Sequence, residues 1–227
     1  MTNKELKALA DIERVKKLYK FEDEARDAGY KLIAGTDEAG RGALAGDLTV
    51  AAVILPPNLY IPYLNDSKKL LAKKRETVFD EIMKKAIAVS CVRISPEEVD
   101  KLNVFDATLK GMFDAVQKLP VRPDYVLTDA MKQDFGEGIR ARSVVHGDAL
   151  SASIAAASII AKVTRDRLAD EWHKLYPIYG FDHNRGYGTK FHIDTIKTFG
   201  YTPIHRKTFS PVKELVSGQM NFFNSAG

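Results

Sequence analysis

The stretch IAGTDEAGRGALAG, residues 33–46, decides how the rest of the chain is understood. A short apolar run ends in two adjacent acids, Asp37 and Glu38, and glycines follow at once. This pattern predicts a strand that carries carboxylates to its own end and then enters a turn. On this stretch alone, a solvated surface loop is the commoner explanation of a short acidic motif.

The turn after the acids reads Gly40-Arg41-Gly42. Gly40 and Gly42 allow backbone angles that other residues resist, and they let a ligand approach the main chain closely. Arg41 offers a planar fork of donors that suits a phosphate. Acids beside a cation in a glycine turn fit metal-dependent chemistry on a phosphate ester.

The composition of the 227-residue chain is that of a globular protein with a sizeable core, since 45% of its residues are hydrophobic and 28% are charged. This length fits one large domain or one domain with an appendage. The net charge of +4 permits a polyanionic partner without proving one. Cys91 is the only cysteine, which excludes a disulfide framework within the chain and fits a reducing compartment.

Neither a membrane span nor a signal peptide is evident in the sequence. No apolar run reaches 18 residues, and the charged N-terminus lacks the apolar segment of a signal peptide. We therefore expect a cytoplasmic protein without a membrane partner, and we expect it to be a monomer.

Apolar periodicity predicts five strands with helices between them. The strands are expected at 31–38, 48–55, 87–94, 125–128 and 139–145. The helices are expected at about 3–28, 65–85, 104–118, 151–176, 191–198 and 212–216, and another begins at Ser95. A short glycine turn between the first two strands favours an antiparallel hairpin. The order of elements is typical of an α/β fold, a mixed sheet with helices on both faces.

We predict three parts of the chain: an N-terminal helical extension at 1–30, a main domain with a helical C-terminal part at 31–217, and a loose tail at 218–227. The first helix has an apolar stripe at helical spacing, which favours packing on the main domain. A separate nucleic-acid-binding arm is the alternative.

Predicted strands end in acids, which are Asp37 and Glu38, Asp129, and Asp148. Strand ends of a layered α/β sheet are where sites gather. Carboxylate oxygens are ligands that Mg²⁺ and Mn²⁺ prefer, and two such ions about 4 Å apart clamp the attacking and leaving oxygens of a phosphodiester. These four acids are the candidate ligands of a magnesium or manganese site.

Each acid has a structural alternative. Neighbours on a strand point to opposite faces, so Asp37 and Glu38 share a site only if the strand ends or bulges there, or if one uses its backbone carbonyl. Asp148 could serve only as a helix N-cap, and Asp129 could be a simple strand-end acid. Asp166 lies 18 residues after Asp148, roughly 27 Å along a straight helix, so we expect it to be structural and paired with a neighbouring arginine.

Histidines and basic residues offer further candidates. His183, His192 and His205 lack the spacing of zinc ligands, and we expect them in loops or at phosphates. Another set is expected either to follow a nucleic-acid backbone or to form a solvated face: Lys68, Lys69, Arg185, Lys190, Arg206 and Lys207.

Six pieces of the sequence carry a resemblance to a known family. They are GTDEAGRGALAG at 35–46, NDSKKL at 65–70, TDAM at 128–131, GDALSASIAAASIIAKVTRDR at 147–167, YPIYGFDHNRGYGT at 176–189 and PIHRKTFSP at 203–211. In this order, over about residues 31–212, they resemble ribonuclease HII. The set is highly specific although no single piece is, and the first helix resembles the N-terminal extension of some bacterial members.

The resemblance implies a ribonuclease H-like fold, a five-stranded mixed sheet flanked by helices, in which the main domain is catalytic. It implies a metal-dependent endonuclease that cuts the RNA strand of RNA/DNA hybrids. It also implies incision 5′ of single ribonucleotides embedded in duplex DNA, which leaves a 3′-hydroxyl and a 5′-phosphate.

The resemblance also implies roles for individual residues. The catalytic and metal-binding acids are Asp37, Glu38, Asp129 and Asp148. The turn Gly40-Arg41-Gly42 senses the ribose 2′-hydroxyl, largely through backbone groups, and Tyr187 stacks on the neighbouring deoxyribose.

Two departures from the family pattern and two rival functions qualify the resemblance. His146 stands where the family usually has lysine, and Asp47 stands where it often has proline. Ribonuclease HIII fits less well, because it usually has lysine where Arg41 stands and carries a larger N-terminal domain.

The first rival function is a non-catalytic hybrid-binding protein, but such a protein would gain nothing from concentrated negative charge. The second is another two-metal nuclease of the same superfamily, and the Gly-Arg-Gly turn and Tyr187 argue against it.

Overall fold

The computed structural model describes residues 1–218 as a central sheet with helices around it. The strands are β1 (Ile33–Ala39), β2 (Leu48–Ile54), β3 (Ala88–Ile94), β4 (Tyr125–Asp129) and β5 (Arg140–Val144). The helices are α1 (Asn3–Leu18), α2 (Lys20–Asp27), α3 (Ala72–Lys85), α4 (Pro96–Leu102), α5 (Val104–Gln117), α6 (Gly147–Leu150), α7 (Ala152–Leu175), α8 (Phe181–Asn184), α9 (Lys190–Phe199) and α10 (Val212–Val216).

The sheet has the strand order β3-β2-β1-β4-β5, which places β1 at its centre. β1 pairs with β4 in parallel, and β4 pairs with β5 in parallel. Every residue of β2 is buried, as its continuous apolar sequence LTVAAVI predicts. The result is a mixed five-stranded sheet flanked by helices, which confirms the predicted fold class.

The predicted first helix is divided in two at Tyr19. This residue ends α1 and precedes α2, its side chain is buried, and its hydroxyl donates to the Leu59 carbonyl at 2.9 Å. The helical periodicity of both halves is correctly predicted, whereas the break at Tyr19, whose hydroxyl bonds to a residue 40 positions away, is not predicted.

Three other segments differ in detail from the prediction. The helix expected from about residue 65 begins instead as a 3₁₀ turn at Ser67–Lys69, because the Asp66 carboxylate accepts from the Lys68 N–H at 2.9 Å, and α3 follows. The segment between the helices predicted at 151–176 and 191–198 contains the short helix α8. The short helix α6 precedes the long α7.

Contacts divide the chain into two compact units, each with its own core. The first comprises residues 1–39, 50–92 and 109–163, and the second comprises residues 40–49, 93–108 and 164–227, of which 219–227 lie outside the described part. The boundaries predicted at 30 and 217 stay predictions. The tail predicted at 218–227 lies, apart from Gly218, outside the described residues. Within residues 1–218, no helix is long and apolar enough to span a membrane.

The core of the first unit is organised by the alanine-rich start of α7. Its buried members include Ala152, Ala155, Ala156 and Ala157, which pack with apolar residues of α1, β2 and α3. Small side chains let the helix lie close to the sheet. The closest approach is at Gly35 of β1, where an added Cβ would lie 2.2 Å from the Ile154 nitrogen and 2.2 Å from the Ser153 carbonyl carbon.

The core of the second unit is aromatic and apolar. Its largest members are Trp172 of α7, Tyr179 and Phe181, and they pack with Ile196 of α9 and Val212 of α10. Rings of Tyr179 and Phe181 stack with centroids 5.6 Å apart. The C-terminal helices therefore bury an apolar core of their own.

We predict that Gly35→Ala strongly destabilises the protein. The added methyl group would collide with helix backbone, which cannot rotate away as a side chain can, so we expect a loss of about 3 kcal/mol or more in the free energy of unfolding. Urea unfolding monitored by circular dichroism measures this loss. Gly42→Ala is the matched control, since an added Cβ there meets nothing within 4 Å, and an equal loss in both variants would contradict the packing argument.

Candidate metal centre

Three of the four predicted acids come together in the first unit. Asp37 lies in β1, Asp129 is the last residue of β4, and Asp148 lies in the first turn of α6. Each offers a carboxylate oxygen, and these oxygens all lie within 4.8 Å of one another. No other cluster of three or more potential metal ligands occurs within residues 1–218.

The register of the parallel strands brings these acids together. Thr36 of β1 pairs with Thr128 of β4, so the next residues, Asp37 and Asp129, stand side by side at the same edge of the sheet. β5 runs parallel to β4 and leads to a left-handed residue, His146, with φ of 58°. The chain then turns, and the Gly147 N–H donates to Asp129 Oδ1 at 2.7 Å.

The direction of the Asp37 side chain follows from strand alternation. Residues two apart on a strand share a face, so Asp37 shares the face of Gly35, on which α7 lies. The Ser158 hydroxyl of α7 accordingly hydrogen-bonds to Asp37. Glu38 points to the other face and is half-buried, and the three-carboxylate cluster does not include it. Its role as a ligand stays a prediction.

Burial and mutual repulsion make the cluster electrostatically unfavourable without a cation. Burial raises the pKa of Asp37 well above its usual range, and the charges of Glu38 and Asp129 raise it further. Burial also raises the pKa of Asp129, and Asp148 adds to the effect, although the Gly147 N–H opposes it. A bound divalent cation would relieve this repulsion.

Lys68 makes a direct hydrogen bond to the cluster. Its Nζ lies 3.2 Å from Asp148 Oδ2. Burial opposes its positive charge, but the hydrogen bond to Asp148 and the charges of Asp66 and Asp37 raise the pKa of Lys68 overall. The 3₁₀ turn at Ser67–Lys69 carries Lys68, and the Ser67 side chain bonds to Ser158 at 2.8 Å. The sequence motif NDSKKL therefore supports the site, a role that sequence reasoning missed.

The donor set fits a hard divalent cation. All three side chains offer carboxylate oxygens, and the cluster includes no histidine or cysteine. Magnesium and manganese prefer such oxygens, whereas zinc sites in proteins are rich in nitrogen and sulfur. Asp37, Asp129 and Asp148 are therefore the residues that could hold Mg²⁺ or Mn²⁺.

The Gly-Arg-Gly turn lies in the second unit and is shaped by a buried arginine. Gly40 has φ of 93°, and an added Cβ would lie 1.9 Å from Nε of Arg165. Arg41 is half-buried, and Gly42 is exposed with open space around it. Glycine is required at position 40 by both backbone angle and space, whereas position 42 leaves room for close approach from outside.

Two fully buried arginines, Arg165 and Arg206, hold the segment after this turn. Arg165 donates to the carbonyls of Asp47 and Ala45 at 3.0 Å each, and Arg206 donates to those of Arg41 and Gly46 at 2.9 Å each. Burial lowers the pKa of Arg206 to about 10. The loop carbonyls thus satisfy both guanidinium groups. Both alternatives predicted for Arg206, that it follows a nucleic-acid backbone or that it lies on a solvated face, are wrong, because its side chain is buried inside the unit.

The loop that carries Tyr187 is held by two buried histidines. The Thr202 N–H must donate to His205 Nδ1, at 2.9 Å, so the neutral His205 ring carries its proton on Nε2. That proton is donated to His192 Nε2 at 3.0 Å, and His192 Nδ1 then donates to the Tyr187 carbonyl at 2.9 Å. Burial lowers the pKa of His205 to about 3, as this neutral chain requires.

The structure corrects the prediction for His192, which lies in the helix α9 and is buried, so it is neither in a loop nor at a phosphate. His205 lies between α9 and α10, in a loop as predicted, but it is buried as well. Tyr187 itself is exposed, and the Arg165 guanidinium lies 5.2 Å from the centre of its ring. The backbone and the ring of Tyr187 are therefore both fixed in place.

Three further residues singled out in the sequence, Asp166, Asp47 and His146, lie outside the three-carboxylate cluster. Asp166 lies in the unbroken helix α7, and its carbonyl accepts from Arg185 Nη1 at 3.0 Å. Asp47, at a position where the family often has proline, accepts from Arg93 Nε at 2.6 Å, so an ion pair accommodates the departure. His146 is exposed, and its charge would lower the pKa of Asp129.

Comparison with known proteins agrees with this geometry. The family model of ribonuclease HII matches residues 34–212. A ribonuclease HII of Bacillus cytotoxicus is 50% identical over 208 residues, which cover 92% of this chain and 80% of that protein. The ribonuclease H2 structure of Pyrococcus horikoshii OT3 superposes with a TM-score of 0.70 at 23% identity, over 83% of this chain and 98% of that one. The structure of Bst ribonuclease HIII in complex with Mn²⁺ superposes with a TM-score of 0.58 at 14% identity, over 85% of this chain and 71% of that one.

The fold and the acidic cluster define a metal-dependent nuclease of the ribonuclease H type. Within that class, the chain belongs to the ribonuclease HII family, as the match over most of its length shows. The family acts on RNA/DNA hybrids.

We predict that Asp37→Asn stabilises the metal-free protein at alkaline pH. Because the folded state raises the pKa of Asp37 and Asp129 above their unfolded values, it binds more protons, and the free energy of unfolding falls as pH rises from about 4 through the raised values. The variant lacks one of the repelling charges. At pH 8 in EDTA the variant should have a higher melting temperature than the parent, by about 2–4 °C for each kcal/mol of repulsion that the substitution removes. This difference should vanish near pH 4.

The control for this prediction is Asp80→Asn, which removes the same charge from the exposed side of α3. It should leave the pH dependence of melting unchanged. A parent protein whose melting temperature is flat from pH 4 to pH 8 without metal would contradict the repulsion argument.

Proposed function

We propose that this protein cleaves the RNA strand of RNA/DNA hybrids and incises duplex DNA on the 5′ side of a single embedded ribonucleotide. Hydrolysis adds water across the P–O3′ bond, so the upstream fragment ends in a 3′-hydroxyl and the ribonucleotide keeps a 5′-phosphate. The observation that carries the proposal is the cluster of Asp37, Asp129 and Asp148 in a chain of the ribonuclease HII family.

Asp37, Asp129 and Asp148 would hold Mg²⁺ or Mn²⁺. Glu38, whose side chain lies on the opposite face of β1, would be the fourth ligand through its backbone carbonyl. Metal ions bound there supply Lewis-acid stabilisation of the charge that develops on the scissile phosphate. The protein's own part is to orient the carboxylates: Gly147 N–H holds Asp129, and Lys68 holds Asp148. Orientation of this kind is what keeps a metal site competent.

Substrate selection would fall to the residues of the second unit. The 2′-hydroxyl is what distinguishes RNA from DNA at a given position, and the turn Gly40-Arg41-Gly42 would sense it largely through backbone groups. Gly42 is exposed with open space around it, whereas Gly40 is packed against the Arg165 side chain. Arg41 would hold the adjacent phosphate. Tyr187 offers an exposed ring that suits a sugar without that hydroxyl on the following nucleotide.

We predict that Asp129→Asn nearly abolishes cleavage but preserves hybrid binding. The change removes a ligand and a negative charge near phosphate, so cleavage should fall more than about a hundredfold while the dissociation constant of the hybrid stays equal or improves. Gel-based cleavage at saturating magnesium and fluorescence anisotropy measure the two effects.

Asp134→Asn is the matched control for this variant. It removes the same charge from an exposed loop residue, and an asparagine oxygen can still accept the bond that Asp134 accepts from Gly136. Full activity of Asp129→Asn at saturating magnesium would refute the assignment of Asp129.

We predict that Tyr187→Ala lowers incision at a single ribonucleotide more than cleavage within a long hybrid. If Tyr187 reads the deoxyribose after the cut, its loss should cost about tenfold at the junction, the scale of an aromatic stacking contact, and much less inside the RNA tract. Single-turnover rates on the two substrates give the ratio.

Tyr201→Ala is the control, because it removes a tyrosine of similar exposure from the same unit: Tyr201 is 39% exposed and Tyr187 is 37% exposed. It should leave the ratio of the two rates unchanged. Equal losses on both substrates for Tyr187→Ala, with an unchanged circular dichroism spectrum, would mean that Tyr187 only packs the loop.

A further inference from the structure

A buried glutamate of the N-terminal helices has no part in the chemistry described so far. Glu22 of α2 is only 1% exposed. Its Oε1 accepts three hydrogen bonds from one short segment: from Ser151 Oγ at 2.6 Å, from the Ser153 N–H at 2.8 Å and from Ser153 Oγ at 2.6 Å. A carboxylate that accepts three bonds at one point fixes that point of the chain firmly.

The segment that Glu22 holds is the junction between α6 and α7. Ser151 ends α6, and its Oγ accepts from the Ile154 N–H at 3.2 Å, which caps the start of α7. The other end of α6 is held by the bond from Gly147 N–H to Asp129. The four-residue helix that carries Asp148 is therefore fixed at both ends by carboxylates, at one end by a cluster acid and at the other by Glu22.

A second contact of α2 reaches the strand that leads into α6. Arg142 of β5 donates to Glu24 Oε2 at 2.7 Å, and its guanidinium lies 4.7 Å from the ring centre of Phe21. Ala25 of α2 packs in a buried cluster with Val144 of β5 and with Ile154. The helix α2 thus contacts the chain on both sides of Asp148.

The chemistry of Glu22 is unusual for a residue that only caps a helix. Serine, threonine, asparagine or aspartate next to the helix normally supplies such an acceptor, and here Ser151 is already in that place. Glu22 lies 129 residues before Ser151 in the chain, and burying its carboxylate costs desolvation free energy. Its Oε2 atom has no hydrogen-bond partner among the described residues. The bonds that Glu22 accepts connect the N-terminal helices to the turn that carries Asp148.

We propose that Glu22 is a positioning residue that orients Asp148 for metal binding, so that the N-terminal helices complete the metal centre. This inference rests on the proposed role of Asp148 as a ligand. It concerns the placement of the carboxylate, and therefore predicts a change in metal affinity even without substrate.

The test is Mn²⁺ binding measured by isothermal titration calorimetry on the full chain at 25 °C, without nucleic acid. Glu22→Ala removes the acceptor and should weaken Mn²⁺ binding about tenfold, the scale of lost outer-shell support. Glu22→Gln keeps an acceptor at Oε1 and should bind within about twofold of the parent. Tyr60→Phe is the control, because it deletes another hydrogen bond of the N-terminal helices, the 2.9 Å bond to Asp11 of α1.

A merely structural role would lower the melting temperature of Glu22→Ala and leave its Mn²⁺ affinity equal to that of Tyr60→Phe, and this result would overturn the proposal. If Glu22→Ala does not fold, Ser153→Ala takes its place, since it removes one donor and keeps the backbone bond. It should weaken Mn²⁺ binding about threefold on the same scale, and unchanged affinity would again refute the proposal.

Asp148→Asn separates this proposal from the one on which it rests. If Asp148→Asn weakens Mn²⁺ binding and Glu22→Ala does not, only the positioning role fails. If Asp148→Asn binds Mn²⁺ like the parent, the ligand assignment itself fails, and the positioning role fails with it.

Discussion

The closeness of α7 to the central strand is the constraint on which the metal centre depends. Gly35 has no side chain, so the backbone of Ser153 and Ile154 lies directly against β1. Asp37 stands two residues further along the same face of the strand, where the Ser158 hydroxyl reaches it. The same helix start receives the bonds from Glu22. One missing side chain thus lets strand, helix and N-terminal extension meet beside the acids.

The acids themselves make this arrangement costly to fold without metal. Asp37 is buried next to other negative charges, and burial is the main cause of its raised pKa. Local donors offset part of the cost: a backbone N–H at Asp129 and one lysine at Asp148. Because these donors leave repulsion between the carboxylates, the site gains most from a divalent cation. Function and stability are in conflict here, as is usual at sites that concentrate one sign of charge.

The second unit handles its buried polar groups differently. Arg165 and Arg206 donate mainly to backbone carbonyls, and His192 and His205 form a neutral chain that ends on the Tyr187 carbonyl. These residues make the loops that carry Gly40 and Tyr187 rigid, which preorganises the surfaces proposed to select the substrate. Charged and imidazole side chains act here as internal supports for the main chain.

The strands, most helices and the family follow from the sequence alone, because alternation, helical spacing and the order of motifs can be read directly from it. Asp37 and Asp129 are predicted correctly in their strands, whereas Asp148, predicted at a strand end, lies in the first turn of α6. The folded chain adds what the sequence does not show: Lys68 bonds to Asp148, Arg206 and His205 are buried, and Glu22 holds the turn before α7. Those contacts join residues far apart in the chain, and their partners are chosen by strand register and helix packing, which no local pattern records.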